Sequence, residues 1–225
     1  MTTKSEKLWK KAAGVFHEKA SEYDKWFNDS LLFDIELAAL RDLKTLHVEP
    51  GFEIGVGPGR FAEALSVKTG LDPAFAPLEL ARKRGVAACQ AIGEILPVKE
   101  KSLGSIFILF TLCFLEHPDK TLSECYRALK TDGHLILGTI PATSAWGGLL
   151  IAKQKENHLF YRHARFYNLR DVRSMLQDAG FKIVETRSTL FQPPDSLNEM
   201  ESSCKGMHDD AGFVIFVAKC SGSQS

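Results

Sequence analysis

Phe52-Glu53-Ile54-Gly55-Val56-Gly57-Pro58-Gly59-Arg60-Phe61 is the stretch on which the fold of this chain turns. An apolar segment leads in, three glycines follow at alternate positions, and a helix-like run over 61–67 leads out. That order reads as a strand, a tight turn and a helix start. Glycine lacks a Cβ, so the backbone can turn sharply there and a ligand can approach it closely. In a parallel α/β sheet such a turn closes the carboxyl end of the first strand, where these folds bind ligands. The stretch points to a nucleotide-like ligand, and its details select which one.

Upstream, the first fifty residues read as helices. Leu8, Trp9, Ala12, Ala13, Val15 and Phe16 recur at helical spacing, 21–27 carries Tyr23 and Trp26, and 31–46 is a second amphipathic run. Downstream, strands and helices alternate. A strand over 69–71 ends at Asp72-Pro73, a helix spans 77–84, and 85–91 contains a short strand. The continuous apolar run 105–112 suits a central strand covered on both faces. A helix over 120–130, a turn at Thr131-Asp132-Gly133 and a strand over 135–140 follow. A helix over 168–179 stops at Gly180, and 181–190 and 213–219 are the last strands. The alternation predicts a mainly parallel, seven-stranded sheet. No helical pattern separates the last two strands, so the last one closes antiparallel.

Residues 142–167 join a strand to a helix over far more than the usual connection of about 2–6 residues. They hold Trp146, His158, Phe160, Tyr161, His163, Phe166 and Tyr167, and are read as a substrate lid or an apolar dimer contact. The aromatic faces suit a cationic amine. The polar stretch 192–210 is the second long connection. The expected organisation is one domain over 1–225: a helical cap over 1–50, a ligand-binding half over 51–141, the insertion over 142–167, and a carboxyl-terminal helix and strands over 168–220.

Lys+Arg and Asp+Glu are both 28, and this zero formal charge argues against a nucleic-acid partner. No apolar run approaches the roughly 20 residues that span a bilayer. Residues 1–11 lack the apolar core of a signal peptide, so a cytoplasmic monomer or homodimer is expected. The five cysteines form no CxxC and are read as reduced thiols, with no metal site; Cys113 and Cys125 lie in apolar contexts.

The dinucleotide fingerprint is G-x-G-x-x-G, whereas here Gly59 comes one residue early and Arg60 follows. Glu53 would face a pyrophosphate unfavourably, but suits a cationic or amine-bearing ligand. The G-x-x-x-x-G-K-[ST] phosphate loop is absent from the sequence.

Glu53-Ile54-Gly55-Val56-Gly57-Pro58-Gly59 resembles motif I of class I S-adenosylmethionine-dependent methyltransferases. Gly70-Leu71-Asp72-Pro73 resembles their second-strand end, and Gly93-Glu94-Ile95-Leu96-Pro97 the segment bordering the adenine. Ser123 to Leu135 resembles the helix, turn and strand of the small-molecule type 11 group, which includes ubiquinone and menaquinone biosynthesis enzymes. The resemblance covers roughly residues 23–219. It implies a Rossmann-like, doubly wound α/β fold, S-adenosylmethionine as cofactor, S-adenosylhomocysteine as product and a small-molecule acceptor.

It further implies that Gly55, Gly57 and Gly59 lie along the methionine portion and that Glu53 orients its amino end, directly or through water. Asp72 accepts from the ribose hydroxyls, as an acceptor-only carboxylate can. Pro73 and Ile95 flank the adenine, Glu94 approaches its amino group, Thr111 and Leu112 line the sulfonium side, and Tyr23 and Trp26 close over the cofactor. Two departures stand out. Pro58 occupies a position where many relatives carry Cys or Thr, and Gly104-Ser105 replaces the usual Phe-Asp. Methyl transfer is an in-line displacement that needs alignment and dryness, and a base only if the acceptor must lose a proton. His117, His158 and His163 are the candidate bases. Thr111-Leu112-Cys113-Phe114 lacks the Asn/Asp-Pro-Pro-Tyr pattern of nucleic-acid base methylation. A fold member that binds the cofactor without transfer, and an NAD-type oxidoreductase, are the alternatives.

Overall fold

The computed structural model describes residues 7–43 and 47–221. Residues 44–46, at the end of the expected helical run 31–46, and residues 1–6 and 222–225 lie outside them. The elements are α1 (Leu8–Glu18), α2 (Ala20–Lys25), α3 (Leu31–Arg41), β1 (Gly51–Ile54), α4 (Arg60–Ala64), β2 (Thr69–Asp72), α5 (Phe75–Lys83), β3 (Ala87–Gln90), β4 (Leu103–Leu109), α6 (Pro118–Ala128), β5 (Leu129–Thr139), α7 (Ala145–Lys155), α8 (Leu169–Asp178), β6 (Phe181–Thr189), β7 (Cys204–Lys205) and β8 (Phe213–Cys220).

The strands form one sheet in the order β3-β2-β1-β4-β5-β8-β6-β7. All pairs from β3 to β5 are parallel, and β8 runs antiparallel to both β5 and β6. The antiparallel closing strand is thus inserted between β5 and β6. The eighth strand is β7, a two-residue edge strand inside the polar stretch 192–210, too short to leave a sequence pattern. The chain winds from β1 outward to β3, then returns to place β4 on β1's other side. That reversal opens a crevice at the carboxyl ends of β1 and β4.

Both faces of the sheet are covered, and the central strands alternate between them with period two. Ile106 and Ile108 of β4 and Leu135 and Leu137 of β5 pack with Leu122 of α6 and Val172 of α8. Phe107, Leu109 and Ile136 face the other way, toward Ile35 and Leu40 of α3, Phe61 of α4 and Leu78 of α5. The turn expected at Thr131-Asp132-Gly133 is not a separate connection, because β5 already begins at Leu129. Leu129 pairs with Leu103 and His134 with Ser105, so residues 130–133 form an excursion within the strand.

Gly104-Ser105 has a local explanation. A Cβ on Gly104 would sit 2.6 Å from the Glu49 carbonyl oxygen, and the Ser105 hydroxyl accepts from the Val48 N–H at 2.7 Å. The pair lets the segment entering β1 lie directly on β4.

The helices α1 and α2 cross over α5 and roof the crevice. Asp24 of α2 accepts from Arg60 Nε at 2.7 Å and from Arg84 Nη2 at 2.9 Å, and Arg84 Nη1 donates to the Pro58 carbonyl at 2.8 Å. Burial pushes the Asp24 pKa up, but the two guanidiniums outweigh it and hold it below the usual carboxylate range. Asp24→Ala is expected to cost about 1–2 kcal/mol, less than a fully buried pair because all three side chains keep some solvent. Urea unfolding of the variant measures it. Among the described residues, no helix is long and apolar enough to cross a membrane.

Candidate active site

The glycine turn follows β1 directly. Gly55, Gly57 and Gly59 have φ of 74°, 50° and 81°, a region that side chains with a Cβ rarely adopt. The Gly55 and Val56 N–H groups both donate to the Leu71 carbonyl, at 2.8 and 2.9 Å, which fastens the turn to β2. The three glycines serve different ends. A Cβ on Gly55 would collide with the Thr111 side chain, and one on Gly59 would lie 2.9 Å from Ala81 Cα. Gly57 has only Tyr23 within 4 Å, so it is the glycine whose open side faces the crevice.

Asp72, at the end of β2, accepts from the Gly57 N–H at 3.0 Å and the Ala74 N–H at 2.8 Å. It therefore braces the turn and caps the entry to α5 at once, while each carboxylate oxygen keeps a lone pair for a ligand. Burial raises its pKa to about 6, against the pull of the two amides. Glu53 is 3 % exposed, below the turn rather than on the cavity wall. Burial first, then the Asp72 charge, raise its pKa well above the carboxylate range, and the Ala62 N–H opposes this.

A cleft of about 790 Å³, counting its open mouth, runs over this turn and is lined by Tyr23, Gly55, Gly57, Asp72, Pro73, Glu94 and Thr111. These seven were expected in one site, and the fold brings them together. Glu94 Oε1 also accepts from the His117 N–H at 3.2 Å, tying the loop after β3 to the start of α6. Four expectations differ: Trp26, expected with Tyr23 over the cofactor, is outside this cleft and lines a neighbouring cavity, and three others are placed elsewhere. Ile95 is 71 % exposed and outside the cleft, where Ile92 and Gly93 stand instead. Leu112 is buried in the core beneath the sheet's carboxyl edge. Gly59 contacts α5 rather than the cleft.

A second cavity, about 940 Å³ with its mouth, adjoins the first. Phe16, Tyr23, Phe110 and Phe114 line both and form the partition. Phe110 has a φ of 58°, an outlier for an aromatic residue, and is held there by stacking on Phe213 at 4.7 Å. Phe160, Tyr161, Phe166 and Tyr167 of the insertion form one wall. Trp26 and Phe33, from the amino-terminal helices, form another. Trp146 does not join them: it is 9 % exposed, packs in the core cluster, and donates its Nε1–H to the Gln192 carbonyl at 2.9 Å.

None of the three candidate histidines lines either cavity. His117 is exposed before α6, and His158 stacks on Tyr161 at 5.2 Å. Burial, together with Arg162 and Lys11, lowers the His163 pKa. The cavity wall instead holds Glu36, which sequence reasoning passed over as one charge in an amphipathic helix. It is 6 % exposed, and burial raises its pKa well above the carboxylate range. Its signal was available: Leu32, Phe33, Ala39 and Leu40, at helical spacings of three and four, surround it with an apolar stripe. Cys113 also lines this cavity, and burial pushes its thiol up to about 12, so it is a neutral wall group.

The donor set fits a ligand that carries hydroxyl donors, an ammonium group and a positive sulfur. It offers the carboxyls of Asp72 and Glu94 on the cleft wall, that of Glu53 buried beneath the turn, an open glycine backbone, and no cationic side chain on the wall among the described residues. A pyrophosphate would face these carboxyls with no cationic side chain to balance its charge.

Residues 52–137 match the family described as "Methyltransferase domain". An uncharacterised protein of Mycobacterium bovis is 37 % identical over 211 residues, covering 92 % of this chain and 74 % of its own length. An uncharacterised protein of Methanocaldococcus jannaschii is 34 % identical, covering 91 % and 98 %. A crystal structure from Thermotoga maritima, described as "SAM-dependent methyltransferase, possible histamine N-methyltransferase", superposes with a TM-score of 0.83. It is 34 % identical and covers 92 % of this chain and 99 % of that one.

Proposed function

The chain belongs to the class I S-adenosylmethionine-dependent methyltransferases, and from that premise we propose that it methylates a small molecule bound in the aromatic cavity. The observation that carries this is the pair of adjoining cavities. One lies over the glycine turn, the other is apolar and walled by aromatic rings, and they meet at Tyr23 and Phe110. The relative from Thermotoga maritima is described with a small amine, which supports a small-molecule acceptor here.

In this reading Gly55, Gly57 and Thr111 border the methionine portion, Asp72 accepts from the ribose hydroxyls, and Pro73, Ile92 and Glu94 border the adenine. Glu53 acts from beneath the turn. When bound, the cofactor supplies an electrophilic methyl group. The chain's own part is to align the acceptor against it and to exclude water, which the partition rings and the roof of α1 and α2 do. The insertion, 142–167, is the acceptor's wall mainly through its second half, with Leu150 of α7 joining from the first. Calorimetric titration with S-adenosylhomocysteine and with NAD tests the cofactor, and the reading fails if NAD alone binds. Turnover on amines, phenols and carboxylates tests the acceptor.

The pH dependence of S-adenosylhomocysteine binding follows from Asp72. Ribose hydroxyls need an ionised acceptor, and this carboxyl ionises near 6. Affinity is therefore expected to fall about tenfold from pH 7 to pH 5 and to level off above 7. Glu53 of β1 and Tyr23 of α2 face it, and the burial-raised Tyr23 stays neutral throughout. For the ligand-free fold the sign is opposite. A carboxyl whose folded pKa is raised stabilises the fold at low pH, and that contribution is lost as pH rises through 6. Titrations at pH 5, 6, 7 and 8 measure the first effect, and melting without ligand measures the second.

A further inference from the structure

We propose that the acceptor is an organic amine, cationic at neutral pH, whose ammonium group is held by Glu36 in the aromatic cavity. This deepens the reading above and rests on it for the neighbouring cofactor cleft.

Glu36 lines the cavity, yet it is more than nine-tenths buried, and no hydrogen-bond or ion-pair partner reaches its carboxyl among the described residues. Buried polar groups are ordinarily paired, because desolvation without a partner is costly. The one cationic side chain on the described cavity wall, Arg165, is exposed at the mouth, and its Nη1 donates to the Glu116 carbonyl at 3.2 Å. The carboxyl is thus left for something that enters.

The surrounding rings narrow what that is. Trp26 packs edge-on against Phe160 at 4.8 Å and against Tyr23 at 5.3 Å, and Tyr161 lies 6.3 Å from Trp26. All four rings line the same cavity as Glu36. Aromatic faces attract ammonium groups, and a desolvated carboxylate supplies the opposite charge. A neutral aromatic acceptor would fill the space but leave the carboxyl unpaired, and an anionic one would be repelled. Burial raises the Glu36 pKa, so its carboxylate both pairs with the incoming ammonium and is a fit acceptor for that group's proton, which frees the nitrogen lone pair to displace the methyl group from sulfur.

Calorimetry tests this with 2-phenylethylamine and tryptamine against their neutral counterparts 2-phenylethanol and tryptophol, with and without S-adenosylhomocysteine. The expected result is a preference for each amine of about tenfold to a hundredfold in the wild-type protein, lost in Glu36→Gln. Wild-type protein that binds the alcohols as tightly as the amines, or binds none of the four at millimolar concentration, overturns the proposal. So does a folded Glu36→Gln that keeps the preference. The wild-type comparison stands on its own if the variant does not fold. An amine preference without S-adenosylhomocysteine binding would support the Glu36 site and overturn the cofactor reading.

Discussion

Asp72→Ala is expected to lower the affinity for S-adenosylhomocysteine by about a hundredfold or more while shifting the melting temperature little. Hydrogen bonds to a charged acceptor contribute about 1.5–3 kcal/mol each, and the two ribose hydroxyls address one carboxylate. The stability side is nearly balanced. Alanine removes the acceptors of the Gly57 and Ala74 N–H groups, but it also removes a carboxyl whose pKa burial has raised to about 6, a group that penalises the fold at neutral pH. A structural cap alone would show the reverse: a lower melting temperature and unchanged affinity. Calorimetry and thermal melting on the same preparation separate the two roles, and unchanged affinity would remove Asp72 from the ribose site.

Gly59→Val carries the largest expected loss of stability, about 3 kcal/mol, or roughly 10 °C in melting temperature for a chain of this size. Two penalties add. A φ of 81° is strained for any residue with a Cβ and worst for a β-branched one. The new Cβ would also meet Ala81 Cα at 2.9 Å, and that atom is backbone in the last turn of α5, with no side chain to swing aside. Gly57→Ala, by contrast, has open space and pays for its φ of 50° alone. The ordering of the two variants by denaturant midpoint checks whether the third glycine is there for packing.

The glycine turn, the acid at the end of β2 and the alternation of strands were readable because each is local: a few residues in a row, with a physical reason at each. The two-faced burial of β4 was readable for the same reason, as an unbroken apolar run. What escaped was set by tertiary contact. The helix α7 was hidden by Gly147 and Gly148 in its first turn, although Ser144 accepts from the Gly147 N–H at 3.0 Å and Asn157 ends it at a φ of 59°. Gly147 is small because its turn packs against the Pro141 carbonyl, a contact the sequence does not announce. Trp146 looked like its aromatic neighbours in the insertion, yet Gly212, sixty-six positions later, leaves the space that draws it into the core. The histidines drew notice for their chemistry and stand off the cavities, while Glu36 was dismissed by its type. An acid at the centre of an apolar helical stripe was the better clue.

The Asp24 pairing sets how ligands come and go. The roof over the cleft is fastened unevenly: α2 is pinned through Asp24 to Arg60, just after the glycine turn, and to Arg84, at the end of α5. The described contacts of α1 are mostly apolar, with one polar tie, the Ala76 N–H donating to His17 Nδ1 at 3.2 Å. That fastening predicts that α1, rather than α2, moves as ligands enter and leave, about the Lys19 junction, where the backbone leaves helical geometry at a φ of −113°. Trp9, Ala12 and Phe16 are then its inner face, and each opening bares them to water. The apolar area on that short helix sets the latch, and with it how readily spent cofactor escapes.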